Sequence, residues 1–302
     1  MRVKFWGTRG TRPTPGPSTL RFGGNTACVE VRTRDNELII LDSGSGICEL
    51  GNTLMGDGPI DAHLLISHTH WDHIQGFPFF GPNFVPGSRL RIIGPKGSMK
   101  SLQSAFADQM DPAYFPLSMD QMPVQLDFIE RAPGEVFEAA GVKVIPHTLH
   151  HPIATFGYRL EENGHSVVFA TDNESYEDPD VLAAKASEIH ERDDAGAEGD
   201  LAGLWHDHFI EWCRGTDLLI HDAQFSREEY KTRVGWGHST FDYSLLVARE
   251  SGARQLAFYH HDPGHSDHQI EAMVEEALGS PQHRRHRGLT AFPAAEGQEI
   301  EL

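Results

Sequence analysis

Short apolar runs separated by turn residues fill the first quarter of the chain. Glycine, proline and asparagine cluster between the runs, as at residues 13–17 and 23–25, and such clusters mark turns. Apolar runs of about four to eight residues with these boundaries are typical of β-strands. We therefore predict a meander of strands at residues 3–6, 28–32, 38–41 and 63–66.

After residue 71, segments with helical periodicity occur between the strand-like segments. Apolar residues recur at helical spacing over 98–110, 241–251 and 269–278, where we predict helices. Further strands are predicted at 90–93, 124–129, 135–139, 142–145, 155–160, 166–170, 218–220 and 255–259. The pattern of several strands followed by helices occurs twice along the chain. It predicts two sheets packed face to face with helices on their outer sides.

Residues 173–215 differ in composition from the rest of the chain. They are polar, acidic and rich in alanine, and they end in a helix-like stretch at 201–213. This composition predicts an acidic helical insertion or lid. Because the sequence has neither a repeat of solenoid period nor a linker-like segment, we expect residues 1–302 to form a single domain that carries this insertion.

The charge of the chain restricts its partners. Lys and Arg number 25 against 44 Asp and Glu, which gives a formal charge of −19 and disfavours a stable complex with nucleic acid. Apolar runs are far shorter than the roughly 20 residues of a membrane helix, and no signal-peptide pattern opens the chain. We expect a cytoplasmic protein without a membrane partner, and a homodimer is compatible with this. Cys28, Cys48 and Cys213 lack the spacing of a thiolate zinc site and are expected to be buried.

The most informative stretch of the sequence is Ser-His-Thr-His-Trp-Asp-His at 67–73. Its metal-capable side chains are His68, His70, Asp72 and His73. Alternate residues of an extended segment point the same way, so His68 and His70 can share one ion while Asp72 and His73 face a second. The stretch predicts a dinuclear metal site, and the alternative is a polar loop that happens to be rich in histidine.

Two ions need more ligands than this stretch supplies. Histidine and aspartate also follow other predicted strands, at His147, His150, His151, Asp172, His260 and His261. Asp172 suits a bridging position, because its two oxygens can reach both ions and offset their repulsion. We expect residues of this set to complete the site.

These motifs resemble those of the metallo-β-lactamase superfamily. The resemblance rests on the 68–73 motif, on Leu-Asp-Ser-Gly-Ser-Gly at 41–46, and on the later histidines and Asp172, and it covers residues 3 to about 263. It implies an α/β fold, a four-layer αββα sandwich with two divalent ions at one edge of the sheets, zinc by default and manganese or iron as alternatives. The implied ligands are His68, His70 and His151 for one ion, Asp72, His73 and His260 for the other, and Asp172 between them, with Asp42 supporting the site from beneath.

The resemblance also guides the choice within two histidine pairs. His151 is preferred to His150 because His151-Pro152 precedes the strand that contains Phe156, as the equivalent residue does in this branch of the superfamily. His260 is preferred to His261 because it directly follows the predicted strand 255–259. Both alternatives stay open at this point.

Two later motifs resemble the phosphodiesterase branch that includes tRNase Z. The chain reads His-Asp-Ala-Gln at 221–224 and His-Ser-Thr at 238–240, where the relatives have His-Glu-Ala-Thr and His-Ser-Thr. The resemblance implies that Asp222 and His238 form an acid-catalytic pair and act with Asp72 in catalysis, although Asp222 is one methylene shorter than the glutamate of the relatives. Phosphodiester hydrolysis needs a metal-bound hydroxide and a proton for the departing alkoxide, which His238 can donate.

The tRNA-processing members carry a long arm between the third ligand and the bridging carboxylate. Here only one predicted hairpin lies between His151 and Asp172. With the acidic charge, this favours a small phosphodiester, and a cyclic nucleotide is the leading choice. The alternatives are a lactone or thioester hydrolase, a 3′-end RNA-processing nuclease, and a non-catalytic metal-binding sensor of a nucleotide.

Two weaker signals concern the substrate. Arg9 lies in a Gly-rich opening segment, where it is expected either to contact phosphate or to be solvated. Residues 111–122 are rich in aromatics and methionine; core packing is the favoured interpretation, and an apolar lip on which a base stacks is the alternative.

Overall fold

Two mixed β-sheets form the centre of the chain. The structure is a computed structural model that describes residues 1–97, 100–175, 201–279 and 288–302, without the side chains of 201–204. Each sheet has seven strands within these ranges. Helices cover the outer faces of both sheets, which confirms the predicted four-layer α/β sandwich.

The first sheet has the strand order β14-β1-β2-β3-β4-β5-β6. Its strands are β1 (Arg2–Gly7), β2 (Cys28–Arg32), β3 (Leu38–Leu41), β4 (Asp61–Leu65), β5 (Arg89–Pro95), β6 (Gln125–Arg131) and β14 (Glu299–Glu301). Strands β3 to β6 are parallel to one another. They are rich in Leu and Ile, as strands covered on both faces are.

The second sheet has the order β13-β12-β11-β10-β9-β8-β7. Its strands are β7 (Phe137–Ala139), β8 (Val142–Thr148), β9 (Phe156–Glu162), β10 (His165–Ala170), β11 (Leu218–Asp222), β12 (Gln255–Tyr259) and β13 (Thr290–Pro293). Strands β10 to β13 are parallel. Because β9 is antiparallel to both β8 and β10, β8 runs in the same direction as β10.

The helices lie outside the sheets and bury one face each. They are Ile47–Leu54, Trp71–Ile74, Leu102–Asp108, Leu201–Cys213, Arg227–Tyr230, Phe241–Ser251 and Asp267–Gly279. One apolar core lies between the sheets and includes Val29 and Phe169. Two more lie between sheet and helices, around Phe106 on one side and Leu245 on the other. No helix in the described ranges has the length and hydropathy of a membrane span.

Most predicted elements differ from the structure only at their ends. The predicted meander is wrong at its last strand, because β4 is parallel to β3 and the helix Ile47–Leu54, which was not predicted, connects them. The predicted 98–110 helix is Leu102–Asp108, which begins after Ser101, whose side chain accepts a hydrogen bond from Ser104 N and so caps the first turn. Strands β13 and β14 were not predicted. Most of the predicted insertion at 173–215 lies outside the described residues, and its final helix buries Phe209 and Cys213 in the core behind the second sheet. Cys28 is also buried and Cys48 is half-buried.

Candidate metal centre

The strand directions bring the predicted ligands to one edge of the sandwich. In the first sheet, β4 ends just before the 67–73 motif. In the second sheet, β8, β10, β11 and β12 run in the same direction. Strand β11 ends at Asp222, and the other three end just before His151, Asp172 and His260, respectively. Carboxyl ends of strands that run in one direction meet at one edge of a sheet. The topology therefore assembles side chains that are up to about 190 residues apart, as Asp72 and His260 are.

One group of ligating atoms contains His68, His70, His151 and Asp172. The Nε2 atom of His151 lies 3.1 Å from Nδ1 of His70 and 3.8 Å from Oδ2 of Asp172. His68 Nε2 lies 3.6 Å from the same Oδ2 atom. All four donors thus surround one point.

A second group contains Asp72, His73 and His260, and it faces the other oxygen of Asp172. His73 Nε2 and His260 Nε2 lie 3.2 Å and 3.1 Å from Asp172 Oδ1. The same two nitrogens lie 3.3 Å and 3.2 Å from Asp72 Oδ2. Asp172 therefore presents one oxygen to each group, as a bridging ligand does.

These donor sets fit divalent metal ions. Two ligands about 2.05 Å from a tetrahedral zinc ion lie about 3.3 Å apart, close to the donor separations in both groups. The Nε2 atoms of His68 and His73 are buried and have no hydrogen-bond partner among the described residues. Buried polar atoms are normally paired, so a cation accounts for both orphaned nitrogens.

Hydrogen bonds fix the ring orientation of several histidines. His73 Nδ1 donates to Asp42 Oδ2 at 2.7 Å, and Asp42 also accepts bonds from the backbone and hydroxyl of Ser67. His151 Nδ1 donates to the carbonyl oxygen of Gly237 at 3.0 Å. Each bond places a ring proton on Nδ1 and turns Nε2 toward the group of ligating atoms. Asp42 thus contacts His73 on the side of the ring away from the other ligating atoms.

Left-handed backbone conformation recurs at this edge. Asp42, Asp172 and His260 have φ angles of 60°, 56° and 62°. Non-glycine residues adopt this conformation rarely, at a cost of about 1–3 kcal/mol, and mainly at functional sites. Here it turns each side chain back toward the site just after a strand ends.

Burial and mutual charge set the ionisation of the cluster. Burial alone raises the pKa of Asp172, but His260, His73 and His68 lower it well below its usual range. The pKa of Asp72 is held low against burial mainly by His73 and His260. Burial lowers the pKa of His68 well below its usual value. Burial also lowers the pKa of His73, but Asp172, Asp72 and Asp42 raise it well above its usual value. The site therefore offers anionic carboxylates and a neutral His68, and metal binding at His73 would displace a proton.

His238 and Asp222 form a hydrogen-bonded pair at the rim of the cluster. His238 Nδ1 lies 2.8 Å from Asp222 Oδ2, and its ring stacks on that of His260 with centroids 5.0 Å apart. Burial lowers the pKa of His238, but Asp222, then Asp172 and Asp72, raise it to about 9. The His238 side chain keeps 12% of its surface exposed, so a protonated imidazole reaches the opening of the site.

The structure separates the alternatives within the histidine pairs. His150 lies outside both groups, with Nδ1 near the carbonyl oxygen of Glu174. His261 points away toward the carbonyl oxygen of Ala294. His147 is half-buried and stacks on Trp212 instead of ligating.

The structure contradicts both predictions for Arg9, contact with phosphate and exposure to solvent. Its side chain is fully buried and donates to the carbonyl oxygens of Gly23, Asp262 and His265 and to the carboxylate of Asp267. It joins the opening loop to the segment after His260. Four of the five N–H donors of this guanidinium are used in this way, so it holds loops together and is not a solvated or phosphate-facing group.

Glu174 is a site residue that the sequence analysis missed. It is fully buried and accepts hydrogen bonds from Tyr230 Oη and from the backbone nitrogens of Gly235 and Gly237. It therefore holds the loop that carries Gly237 and His238. The only signal in the sequence is its position two residues after Asp172, which is too common a spacing to single it out.

Comparisons with known proteins agree with this geometry. The family model of the beta-lactamase superfamily domain matches residues 40–189. Ribonuclease Z of Haloarcula marismortui is 27% identical over 288 residues, which cover 86% of this chain and 86% of that protein. The metallo-beta-lactamase fold protein YhfI of Bacillus subtilis has a TM-score of 0.65 at 16% identity, with 99% of this chain and 98% of that chain covered. The short form of human tRNase Z has a TM-score of 0.61 at 19% identity, with 100% of this chain and 99% of that chain covered.

The motifs, the two-sheet fold and these likenesses point to one family. The resemblance predicted from residues 41–46 and 68–73 is thereby confirmed. The chain belongs to the metallo-β-lactamase superfamily, in the branch that contains ribonuclease Z, and is a metal-dependent hydrolase.

Proposed function

We propose that the protein hydrolyses small phosphodiesters at a dinuclear metal centre, with a cyclic nucleotide as the favoured substrate. The observation that carries this proposal is the hydrogen-bonded pair of His238 and Asp222 at the rim of the cluster. An alkoxide leaving group needs a proton, whereas a carboxylate product does not make the same demand. A built proton donor beside the site therefore favours a phosphodiester over a lactone or thioester.

The proposed ligands follow the two groups of ligating atoms. His68, His70 and His151 would hold one ion, Asp72, His73 and His260 the other, and Asp172 would bridge them. When bound, the two ions would lower the pKa of a coordinated water and neutralise charge on the phosphate. Imidazole and carboxylate donors suit zinc, manganese and iron.

The protein residues then divide the proton transfers. The Oδ2 atom of Asp72 faces His73 and His260. Its Oδ1 atom makes no hydrogen bond among the described residues, so Oδ1 is placed to accept a proton from the attacking water. His238 donates from Nε2 to the departing oxygen. Asp222 is a positioning residue that orients the His238 ring through Nδ1 and favours its charged form.

An RNA-processing nuclease is the second candidate, because the curated relatives include proteins named ribonuclease Z. Between His151 and Asp172 the chain forms only the β9–β10 hairpin, which turns at Asn163 and Gly164. No arm that could hold a folded RNA is present in this described stretch. The charge of −19 also repels a polyanion, which favours the small substrate.

A substrate panel tests the proposal. Metal-replete protein is assayed on cyclic mononucleotides, cyclic dinucleotides, bis(p-nitrophenyl) phosphate and a set of lactones, with the His68→Ala/His73→Ala double variant as the control for contaminating activity. We expect turnover of the phosphodiesters that is absent from the control. Lactone turnover without phosphodiester turnover would assign the protein to the alternative class.

A further inference from the structure

A cavity of about 620 Å³ lies beside the metal centre. Its volume falls in the range of about 300–1,000 Å³ that is usual for small-molecule sites. Thr69 and Trp71, the neighbours of His70, form part of its wall, and Ile153 and Ala154, which closely follow His151, form another part. The cavity thus shares its wall with the segments that carry two of the proposed ligands.

Aromatic side chains line this cavity and remain exposed to it. Trp71, Phe79 and Tyr114 are 71%, 62% and 83% exposed, although large aromatic groups are usually well buried. Phe115 packs edge to face on Phe79 with ring centroids 5.4 Å apart. Together these rings offer a stacking surface that the protein itself does not cover.

The cavity wall also contains a buried polar atom without a partner. The side-chain nitrogen of Gln109 is buried and makes no hydrogen bond among the described residues. An unsatisfied buried donor costs about 1–3 kcal/mol. A side-chain amide is suited to the hydrogen-bonding edge of a nucleobase, so a side-chain rotation that turns the Gln109 amide into the cavity would let a bound base satisfy it.

The 111–122 segment therefore has two roles. Met110 and Met122 are buried in the core next to the first sheet, as the favoured interpretation predicted for this region. Tyr114 and Phe115, by contrast, line the cavity. Both interpretations of the segment apply, each to different residues.

We propose that this cavity binds the aromatic base of a nucleotide substrate whose phosphate lies at the metal centre. The proposal rests on the proposed phosphodiesterase function, because that function places a phosphate beside the cavity. Tyr114 and Phe115 stack on the base, and Gln109 donates a hydrogen bond to its edge. The cavity then makes the enzyme select nucleotides over diesters that lack a base.

The test measures binding without catalysis. Calorimetry compares adenosine 5′-monophosphate with ribose 5-phosphate on metal-loaded protein, since the two ligands share a sugar phosphate and only the nucleotide carries a base, in place of the C1 hydroxyl. Tyr114→Ala is the main variant, because its side chain is largely exposed and its removal leaves folding intact. Phe115→Ala and Gln109→Ala probe the deeper wall, and Phe84→Ala, an exposed aromatic outside the cavity, is the matched control.

We expect the nucleotide to bind at least about tenfold more tightly than the sugar phosphate. Tyr114→Ala and Phe115→Ala should each reduce this preference roughly five- to tenfold, Gln109→Ala should reduce it less, and Phe84→Ala should leave it unchanged. Equal affinity for the two ligands would overturn the proposal, as would a preference that survives both aromatic variants. A protein that binds the base but hydrolyses no phosphodiester would disprove the proposed function alone.

Discussion

Asp222 accepts four hydrogen bonds at once, and this governs what its substitution can reveal. Its carboxylate receives His238 Nδ1 at 2.8 Å, Ser239 N at 2.8 Å, Asp172 N at 3.1 Å and Gln224 N at 3.3 Å. A change at Asp222 therefore acts on His238, the proposed proton donor, and on the backbone of Asp172, the proposed bridging ligand. Metal content must be measured beside activity to separate the two effects.

We predict that Asp222 and His238 act as one unit. Asp222→Asn, His238→Ala and the double variant should each lose about 10²- to 10⁴-fold in kcat on a cyclic nucleotide, because residues that serve one proton transfer are not additive. Metal content, measured by elemental analysis, should stay unchanged. On a p-nitrophenyl diester the loss should be smaller, since that leaving group needs little protonation. Losses that multiply in the double variant would contradict the pair.

Gly237 provides a second prediction for a single residue. A Cβ atom there would lie 2.1 Å from Nδ1 of His151, and the φ angle of +87° already disfavours other residues. Gly237→Ala should displace the His151 ring and lower the metal content toward one ion per chain. Gly134→Ala, at φ +74° with open space around it, is the control that carries the backbone strain without the collision. Equal metal content in both variants would disprove the steric argument.

For single residues, the sequence pointed to candidate site residues that are neighbours in the chain or that directly follow a strand. The 68–73 motif and Asp172 could be identified because metal-capable residues are dense there and sit after apolar runs. Arg9 and Glu174 could not, because their roles depend on burial by segments far away in the chain. A charged residue in a Gly-rich loop looks solvated until the fold covers it, as it covers Arg9.

Among the elements, β8 contacts the helix Leu201–Cys213 through a titratable ring. His147 on β8 stacks on Trp212, with centroids 5.1 Å apart, and burial with the nearby His208 lowers its pKa to about 4. The folded protein thus keeps His147 neutral where the unfolded chain protonates it. The stability from this contact is complete above about pH 6.5 and is lost as the pH falls toward 4.

We therefore predict that His147→Phe makes the protein less sensitive to acid. Phenylalanine keeps the stacking on Trp212 and removes the proton-binding group. The free energy of unfolding should fall less between pH 6.5 and pH 5 in the variant than in the unmodified protein, by about 1 kcal/mol after allowance for partial exposure. Denaturation midpoints at the two pH values measure this. Parallel pH dependence in the two proteins would show that His147 does not contribute.

The elements differ in how far the sequence could predict them. The strand Gln255–Tyr259 and the helix Phe241–Ser251 agree with the predicted bounds, because each has a clear apolar pattern and clear end signals, such as the Thr240 cap and the left-handed Gly252. Strands β13 and β14 are short and lie at sheet edges. The pairing of β14 with β1 joins the two ends of the chain, and local pattern carries no signal for such a contact.

For the whole molecule, the cluster of buried carboxylates couples metal binding to stability. Asp42, Asp72 and Asp172 are all buried at one edge, and cations offset their mutual repulsion. We predict two ions per chain by elemental analysis, and a melting temperature that falls by roughly 5 °C or more on chelation. An unchanged melting temperature on chelation, or one ion or none per chain after metal loading, would contradict the dinuclear assignment.

Under the proposed function, the net charge of −19 and the short β9–β10 hairpin act together to limit substrate size. Repulsion extends over about a Debye length, roughly 8 Å at physiological ionic strength, so it weakens encounter with a folded RNA along its whole surface. A small diester carries only one or two charges. It would bind at the edge where the proposed ions lie, and their positive charge would offset its negative charge. The proposed preference for a small substrate therefore rests on the whole chain rather than on one residue.

The most direct test is a side-by-side measurement of kcat/KM on a cyclic nucleotide and on a 3′-extended tRNA precursor, with the same metal-loaded protein at moderate salt. A small-diester enzyme should cleave the cyclic nucleotide with the larger kcat/KM. The loss of this activity in His238→Ala would attribute it to the site described above. Faster cleavage of the tRNA precursor would contradict the account and make the protein an RNA-processing nuclease.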